Sequence, residues 1–337
     1  MIRPFGFRDT LAIRKLQSNT QRLDWPEGLI SVRSPLRMML LARVSHLNLG
    51  APAFVCPGTD GLGVAQGYVQ VLPQRDRPDW DIIALGPALD GRSATQWVWT
   101  HLLERLGQQA GELGILRLFA RIAEDSPAED VLRACDFSPY AAQVVMTRPE
   151  STRGADAGAG KGPAIAPRER QPRDEWALHQ LYARATPTQV QLAEGQASLE
   201  RYALNLGLQG LGEEYVCESQ GSLRGYLGIA SGAQGHAWRL VMDPKEPQEG
   251  LQLLAWGLER LARRSDKPVY GLVREYDQPV ISWLYERGYA VAARQKLMVK
   301  QLAIRVKEPV LKLAPALEQR MEPAHTRSCE EFKIGKA

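Results

Sequence analysis

The chain carries the same words twice in the same order, and this constrains its architecture more than any single residue does. Arg8-Asp9 ahead of LAIRKLQ corresponds to Arg173-Asp174 ahead of WALHQLY at an offset of 165. Phe54-Val55-Cys56 corresponds to Tyr215-Val216-Cys217 at 161, and Gly67-Tyr68 to Gly225-Tyr226 at 158. Leu103-Glu104-Arg105-Leu106 corresponds to Leu258-Glu259-Arg260-Leu261 at 155, and Arg117–Arg148 runs against Val269–Lys300 at a steady 152. That last block holds six identities in 32 positions: Asp125/Asp277, Pro127/Pro279, Leu132/Leu284, Ala141/Ala293, Gln143/Gln295 and Met146/Met298. Chance at this composition gives about two, and chance does not preserve chain order. The offset only falls, in steps between predicted elements, as expected where loops absorb deletions and cores do not.

A duplication predicts two domains from the 337 residues. Residues 149–164, PESTRGADAGAGKGPA, lack periodicity and read as a flexible linker. The predicted organisation is a first domain over 1–148, the linker 149–164, a second domain over 165–307 and an extended tail over 308–337, where Pro309, Pro315 and Pro323 recur.

Composition narrows the class. Basic residues number 42 and acidic 38, and the Arg and Lys are spread along the chain, so neither a nucleic-acid nor a membrane footprint is expected. The four cysteines, Cys56, Cys135, Cys217 and Cys329, form no CxxC and no metal-ligand spacing, so no metal site is expected. Scattered free thiols, an N-terminus without an apolar h-region and the absence of a long apolar run predict a cytoplasmic protein. A monomer is expected.

Each half reads as the same series of elements. An extended start meets Asp9 or Asp174 ahead of a helix. A second helical stretch follows, around Pro35–Leu47 and Ala193–Leu206. A hairpin comes next (AFVC to AQGYVQVL; EYVCES to LRGYLGIA), then a strand at Trp80–Leu85 or Ala237–Met242. Helices at Gln96–Gln108 and Leu251–Arg263 lead to strands at Leu116–Ile122 and Val269–Arg274. Asp125 and Asp277 read as caps for short helices opening near Pro127 and Pro279. Final strands are expected at Ala142–Thr147 and Arg294–Gln301. Of Trp97 and Trp99, which alternate on one helix, only one can face inward.

This order, β-α-α-β-β-β-α-β-α-β, resembles the GNAT superfamily of N-acetyltransferases. The words IRPFGFRDTLAI, RLVMDPKEPQEGLQLLAWGLERL, VLRACDF and WLYERGY carry the likeness, which covers about 1–148 and 165–302. The resemblance implies an α/β fold of two tandem GNAT-like domains, each a mixed, mostly antiparallel twisted sheet flanked by helices. It also implies acetyl-CoA or another acyl-CoA as cosubstrate, with the pantetheine arm between splayed strands and the pyrophosphate on backbone N–H groups at a helix N-terminus, where unpaired donors suit phosphate. On the family's loop motif, Lys245 falls at the Arg or Gln position, Gln248 at the first Gly and Gly250 at the last. The cofactor contacts so implied are Met242, Lys245, Gln248, Glu249, Gly250 and Leu251. In the first half Asp90, Ser93 and Thr95 take the motif positions, and the charge of Asp90 has the wrong sign for phosphate.

The activity implied is transfer of an acetyl group to an amine, on a small molecule or a peptide, by direct attack on the thioester. Leu132 and Leu284 fill the slot where the family often has an acidic Tyr, and Tyr285, one residue on, is the nearest candidate for protonating the leaving thiolate. Glu214 and Asp243, with Glu213, are the candidate bases at strand ends. The alternative function is a catalytically inactive tandem GNAT-like binding or scaffold protein.

Overall fold

The structure, a computed structural model, describes residues 2–23, 25–31, 34–44, 51–57, 65–74, 77–148, 166–195 and 212–302. The linker, the tail and most of the helix expected at 193–206 lie outside these residues. The first half runs β1 (Arg3–Pro4), α1 (Thr10–Leu16), β2 (Gln21–Arg22), α2 (Trp25–Ile30), α3 (Pro35–Val44), β3 (Ala53–Pro57), β4 (Ala65–Pro73), β5 (Asp79–Gly86), α4 (Ser93–Glu112), β6 (Arg117–Ala123), α5 (Ala128–Ala134) and β7 (Ser138–Thr147). The second runs β8 (Arg168–Glu169), α6 (Glu175–Ala185), α7 (Thr188–Glu194), β9 (Glu213–Ser219), β10 (Ser222–Ser231), β11 (His236–Met242), α8 (Pro247–Arg264), β12 (Val269–Arg274), α9 (Gln278–Glu286) and β13 (Ala290–Gln301).

The repeat is visible at atomic detail. Arg3 donates to both Asp9 carboxylate oxygens at 2.6 Å, and Arg168 to both of Asp174 at 2.6 and 2.7 Å. The Gly6 and Gln171 amides donate to the same two carboxylates. Asp9 and Asp174 thus tie the entry strand to the helix, with the side chain satisfying a backbone donor ahead of the first turn.

Each half is a mixed sheet, and the two are joined by exchange. The first half's β6 pairs with β13, while β12 of the second half pairs with β7, and β7 and β13 pair with each other at the centre. Among the described residues this gives one continuous sheet. Its central ladder is symmetric in the repeat: Ala290 faces Thr147 as Val299 faces Ser138, and Val291 faces Met146 as Met298 faces Pro139. The equivalent glutamines Gln143 and Gln295 meet face to face on the pseudo-dyad, Gln143 Nε2 donating to Gln295 Oε1 at 3.0 Å. The ladder also corrects the steady offset. Gln295 faces Ala123 and Gln143 faces Arg274, so β6 and β12 correspond at 274 − 123 = 151, one residue short of the helices that follow.

Every residue of β5 and of β11 is buried, because each lies between neighbours with helices on both faces. Two cores lie on one side of the sheet. One packs α4 and α5 against Val69, Trp80 and Ile82; the other packs α8 and α9 against Leu227, Trp238 and Leu240. Trp99 is fully buried and Trp97 is exposed, as their spacing requires. Both halves lie within one compact unit, Met1–Ile304. Among the described residues no helix is long and apolar enough to cross a membrane.

His236 fastens the start of β11. Its ring nitrogens lie 2.8 Å from Ser231 Oγ and from Ser265 Oγ, joining the end of β10 to the end of α8. Burial, then Lys267 and Arg264, push its pKa below the ordinary value, so the fold holds it neutral. A depressed folded pKa contributes stability that is fully present above the unfolded value of about 6.5 and is lost as pH falls through the folded one. The unfolding midpoint should therefore drop as pH falls below about 6.5, with a flatter profile in His236→Gln; identical profiles would remove His236 from the effect.

Candidate functional site

The site begins where β11 and β12 part. They pair in parallel only at His236/Val269, Ala237/Tyr270 and Trp238/Gly271. The His236 amide points toward β12, bonding Pro268, and the Asp243 amide points the other way, to Arg224 on β10. Strand alternation then turns the backbone N–H and C=O groups of Leu240 and Met242 into the opening gap. Among the described residues nothing pairs with them there.

The first half opens the same gap, since β5 and β6 pair only at Asp79/Arg117, Trp80/Leu118 and Asp81/Phe119. Here the chain fills it. β2 pairs with the exposed edge of β5 through Gln21/Leu85 and Arg22/Ala84, and the Leu23 amide donates to Ile83 at 2.9 Å. Leu23 is buried in the adjoining core. The edge groups that could bind an extended amide-containing ligand are consumed internally.

The loops at the two helix starts differ in the same direction. In the first half the Asp90 carboxylate accepts from the Arg92 amide at 3.1 Å and the Thr95 hydroxyl at 2.7 Å, placing a fixed negative charge at the start of α4. The Thr95 and Arg92 donors hold that carboxyl below its usual range. In the second half Lys245 and Gln248 are exposed at the start of α8. Pro247 sits in the first turn, where its missing N–H costs least. Glu249 is drawn aside to Arg224, at 3.7 Å. Gly250 is buried against β11: a Cβ there would stand 2.3 Å from Met242 Cβ. Met242 and Leu251 are both buried in the core beneath. The motif glycine thus sets how closely α8 approaches the strand whose edge is open.

The candidate carboxylates separate by environment. Asp243 is buried. It accepts from the Lys245 amide at 3.0 Å and faces Arg224 and Arg184 at 3.1 and 3.4 Å, so it holds the loop. At Glu213, Arg264 above all pulls the carboxyl down to about 2, leaving a very weak base. Glu214 lies on the face of the sheet covered by α6. Its oxygens accept from the Tyr226 hydroxyl at 2.6 Å and from Arg170 at 2.9 Å. Tyr226 is fully buried; burial first, then Glu214, raise its pKa far above the phenol value, while Arg170 and Arg239 act on it in the opposite direction. Arg239, on β11, is 5% exposed.

Leu284 is fully buried at the acid position, whereas Tyr285 is 50% exposed on the outer side of α9. The geometry removes Tyr285 from the gap, because one residue of helix turns it about 100° away from the buried face. Asp277 stands at the start of α9 without a side-chain capping bond, and in the first half Ser126, not Asp125, accepts from the Ala128 amide. Burial pushes the Asp277 carboxyl up to about 7 against the pull of Arg274, so the β12–α9 turn carries a group that titrates near neutrality. Among the described residues no group of three or more His, Cys, Asp or Glu side chains could hold a metal ion.

Solved structures share this fold. A tandem GNAT protein from the clavulanic acid biosynthesis pathway matches over 89% of this chain and 98% of its own, at 14% identity and a TM-score of 0.53. A GCN5-related N-acetyltransferase from Sphaerobacter thermophilus matches over 89% of this chain and 95% of its own, at 18% identity and 0.53. The fold is a tandem GNAT fold. No protein-family model and no curated protein matches the chain. Among the described residues the second half has an open strand edge, a closely docked helix start and an exposed lysine; the first half has a blocked edge and an aspartate at its helix start.

Three features of the site escaped the sequence reading. The closure by Gln21–Leu23 has no signal in a two-residue strand. Arg170 and Arg239 looked like ordinary scattered arginines, although the repeat places them opposite apolar residues of the first half.

Proposed function

We propose that the chain is an acyl-CoA-dependent N-acetyltransferase that works through its second half alone. The open edge of β11 at Leu240 and Met242, against the edge of β5 closed by the chain itself, is the observation that carries this reading. Leu240 and Met242 would hold the pantetheine amides through backbone bonds. Lys245 and the amides of Gln248 and Glu249 would face the pyrophosphate at the start of α8. Acetyl-CoA supplies the activated thioester, whose C–S bond breaks as the N–C bond forms. Glu214 takes the proton that the acceptor nitrogen loses, and the departing thiolate is reprotonated from solvent. Asp243 keeps the loop in place, and Tyr285 has no part.

Titration with acetyl-CoA should raise the unfolding midpoint by mass action, about 2.7 kcal/mol at a hundredfold excess over Kd. Calorimetry should find one site per chain. Two equivalent sites would contradict the closed first half, and no binding would leave the second reading, an inactive tandem scaffold, for which Leu132 and Leu284 at both acid positions speak.

A further inference from the structure

A polar group stands unpaired at the root of the open gap. Trp238 occupies the last paired position of β11, opposite Gly271, and the two strands part immediately beyond it. Its side chain is 1% exposed and lies in the core that also holds Leu240, Met242 and Leu251. Among the described residues its indole Nε1–H has no hydrogen-bond partner. A buried tryptophan ordinarily finds one. Trp99, equally buried, donates to the Pro87 carbonyl at 2.8 Å. The Trp238 indole reaches across to the neighbouring strand: a Cβ on Gly271 would stand 2.3 Å from Cζ2 and 2.8 Å from Cε2, the carbon bonded to Nε1. The edge of the ring that carries the donor therefore lies against β12 where the gap begins.

The duplication supplies the control. Val71 faces Ile82 as Ile229 faces Trp238, so Ile82 corresponds to Trp238. The correspondence between β6 and β12 sets Ala120 against Gly271. Ile82 and Ala120 are both buried in the first-half core, and neither side chain has a donor. The fold thus fills this space with apolar groups in the half whose gap is closed, and keeps an unpaired donor in the half whose gap is open. A buried donor without an acceptor loses its hydration and gains nothing in exchange, so packing does not account for the difference.

The course of the ligand brings an acceptor to this point. With the pyrophosphate at the start of α8 and the amides on Met242 and Leu240, the pantetheine arm runs down β11 toward its root. Trp238 is two residues further, about 6.7 Å along a strand. Beyond the last amide of an acyl-CoA the next strong acceptor is the thioester carbonyl.

We propose that Trp238 Nε1–H donates to the thioester carbonyl oxygen of bound acetyl-CoA. As the acceptor nitrogen attacks the carbonyl carbon, the π electrons move onto that oxygen, and the same hydrogen bond holds the growing negative charge. They return to form the amide carbonyl as the C–S bond breaks and its electron pair leaves with sulfur. The indole gives up no proton. This rests on the acyltransferase reading of the second half and deepens it.

Calorimetry on the full chain compares acetyl-CoA with S-ethyl-CoA, a thioether of the same length that lacks the carbonyl oxygen. The wild type is expected to bind acetyl-CoA about threefold to tenfold more tightly, the worth of one neutral hydrogen bond. Replacing Trp238 by 3-benzothienylalanine keeps the fused ring and puts sulfur where the N–H was. It should erase the preference, leave S-ethyl-CoA binding unchanged and melt no lower than the wild type. The infrared carbonyl stretch of bound, carbon-13-labelled acetyl-CoA should lie higher in this variant than in the wild type. Trp238→Phe also lacks the donor; the cavity it opens lowers the melting temperature but acts on both ligands alike, so the preference should vanish there too. No preference in the wild type, a preference that survives either substitution, or an unshifted carbonyl stretch would overturn the assignment while leaving acyl-CoA binding intact. A wild type that binds neither ligand would instead overturn the reading beneath it.

Discussion

Glu194→Ala should destabilise the protein by about 3–5 kcal/mol, the cost typical of breaking a buried ion pair from one side. Glu194 ends α7 and has no exposed surface. Its carboxylate accepts from Arg274 at 2.7 Å, from the Tyr182 hydroxyl at 2.7 Å and from the Tyr140 hydroxyl at 3.2 Å, while its carbonyl accepts from Arg77. These partners come from both halves: Tyr140 and Arg77 from the first, Tyr182 and Arg274 from the second. Removing the carboxylate takes this ion pair from the Arg274 guanidinium, which is itself buried on β12 beside the exchanged strand β7. The denaturant midpoint measures the loss. Glu194→Ala combined with Arg274→Leu should recover much of it, because the penalty lies in the charge left behind. If the double variant is no more stable than the single one, the cost belongs to the lost tyrosine contacts and not to the ion pair.

The same residue shows why the exchange of final strands was not legible. The repeat predicts the strands Ala142–Thr147 and Arg294–Gln301, and both are present within β7 and β13. Their partners, however, are decided by contacts between residues more than 120 positions apart, such as Thr147 with Val269 at 3.1 Å, and local pattern carries no such information. In a duplicated chain the ambiguity is sharper. Each final strand meets nearly the same edge on β6 as on β12, so the residue pattern alone serves both pairings. The elements themselves were legible because periodicity and turn residues report local geometry: the spacing of Trp97 and Trp99 lets only one face inward, and it is Trp99, and Asp9 and Asp174 stand ahead of equivalent helices at one offset. At the site, the sequence singled out Gly250 and Glu214 but could not tell that Asp243 is tied to two arginines or that Tyr285 faces outward. One-residue differences in helix phase, and ion pairs between strands, become visible only in three dimensions.

Gly250 is the position where fold and function are hardest to separate, and a pair of substitutions separates them. Gly250→Ala places a Cβ 2.3 Å from Met242 Cβ, a separation that real atoms do not adopt, so the start of α8 must move off β11. Overpacking of this kind costs about 1–3 kcal/mol. It should also weaken acetyl-CoA binding about tenfold or more, roughly 1.4 kcal/mol, because the Gln248 and Glu249 amides move with the helix. If the glycine matters through this contact, removing the opposing Cβ should restore binding: Gly250→Ala with Met242→Gly brings affinity back toward wild type, although Gly in a strand lowers stability by roughly 0.5–1 kcal/mol. Met242→Ala is the control. It trims the side chain but keeps the Cβ that collides, and so it should not rescue. If both double variants bind as poorly as Gly250→Ala, the glycine acts by direct approach of the ligand to its backbone. If Gly250→Ala binds acetyl-CoA as well as the wild type, the start of α8 is not where the pyrophosphate rests.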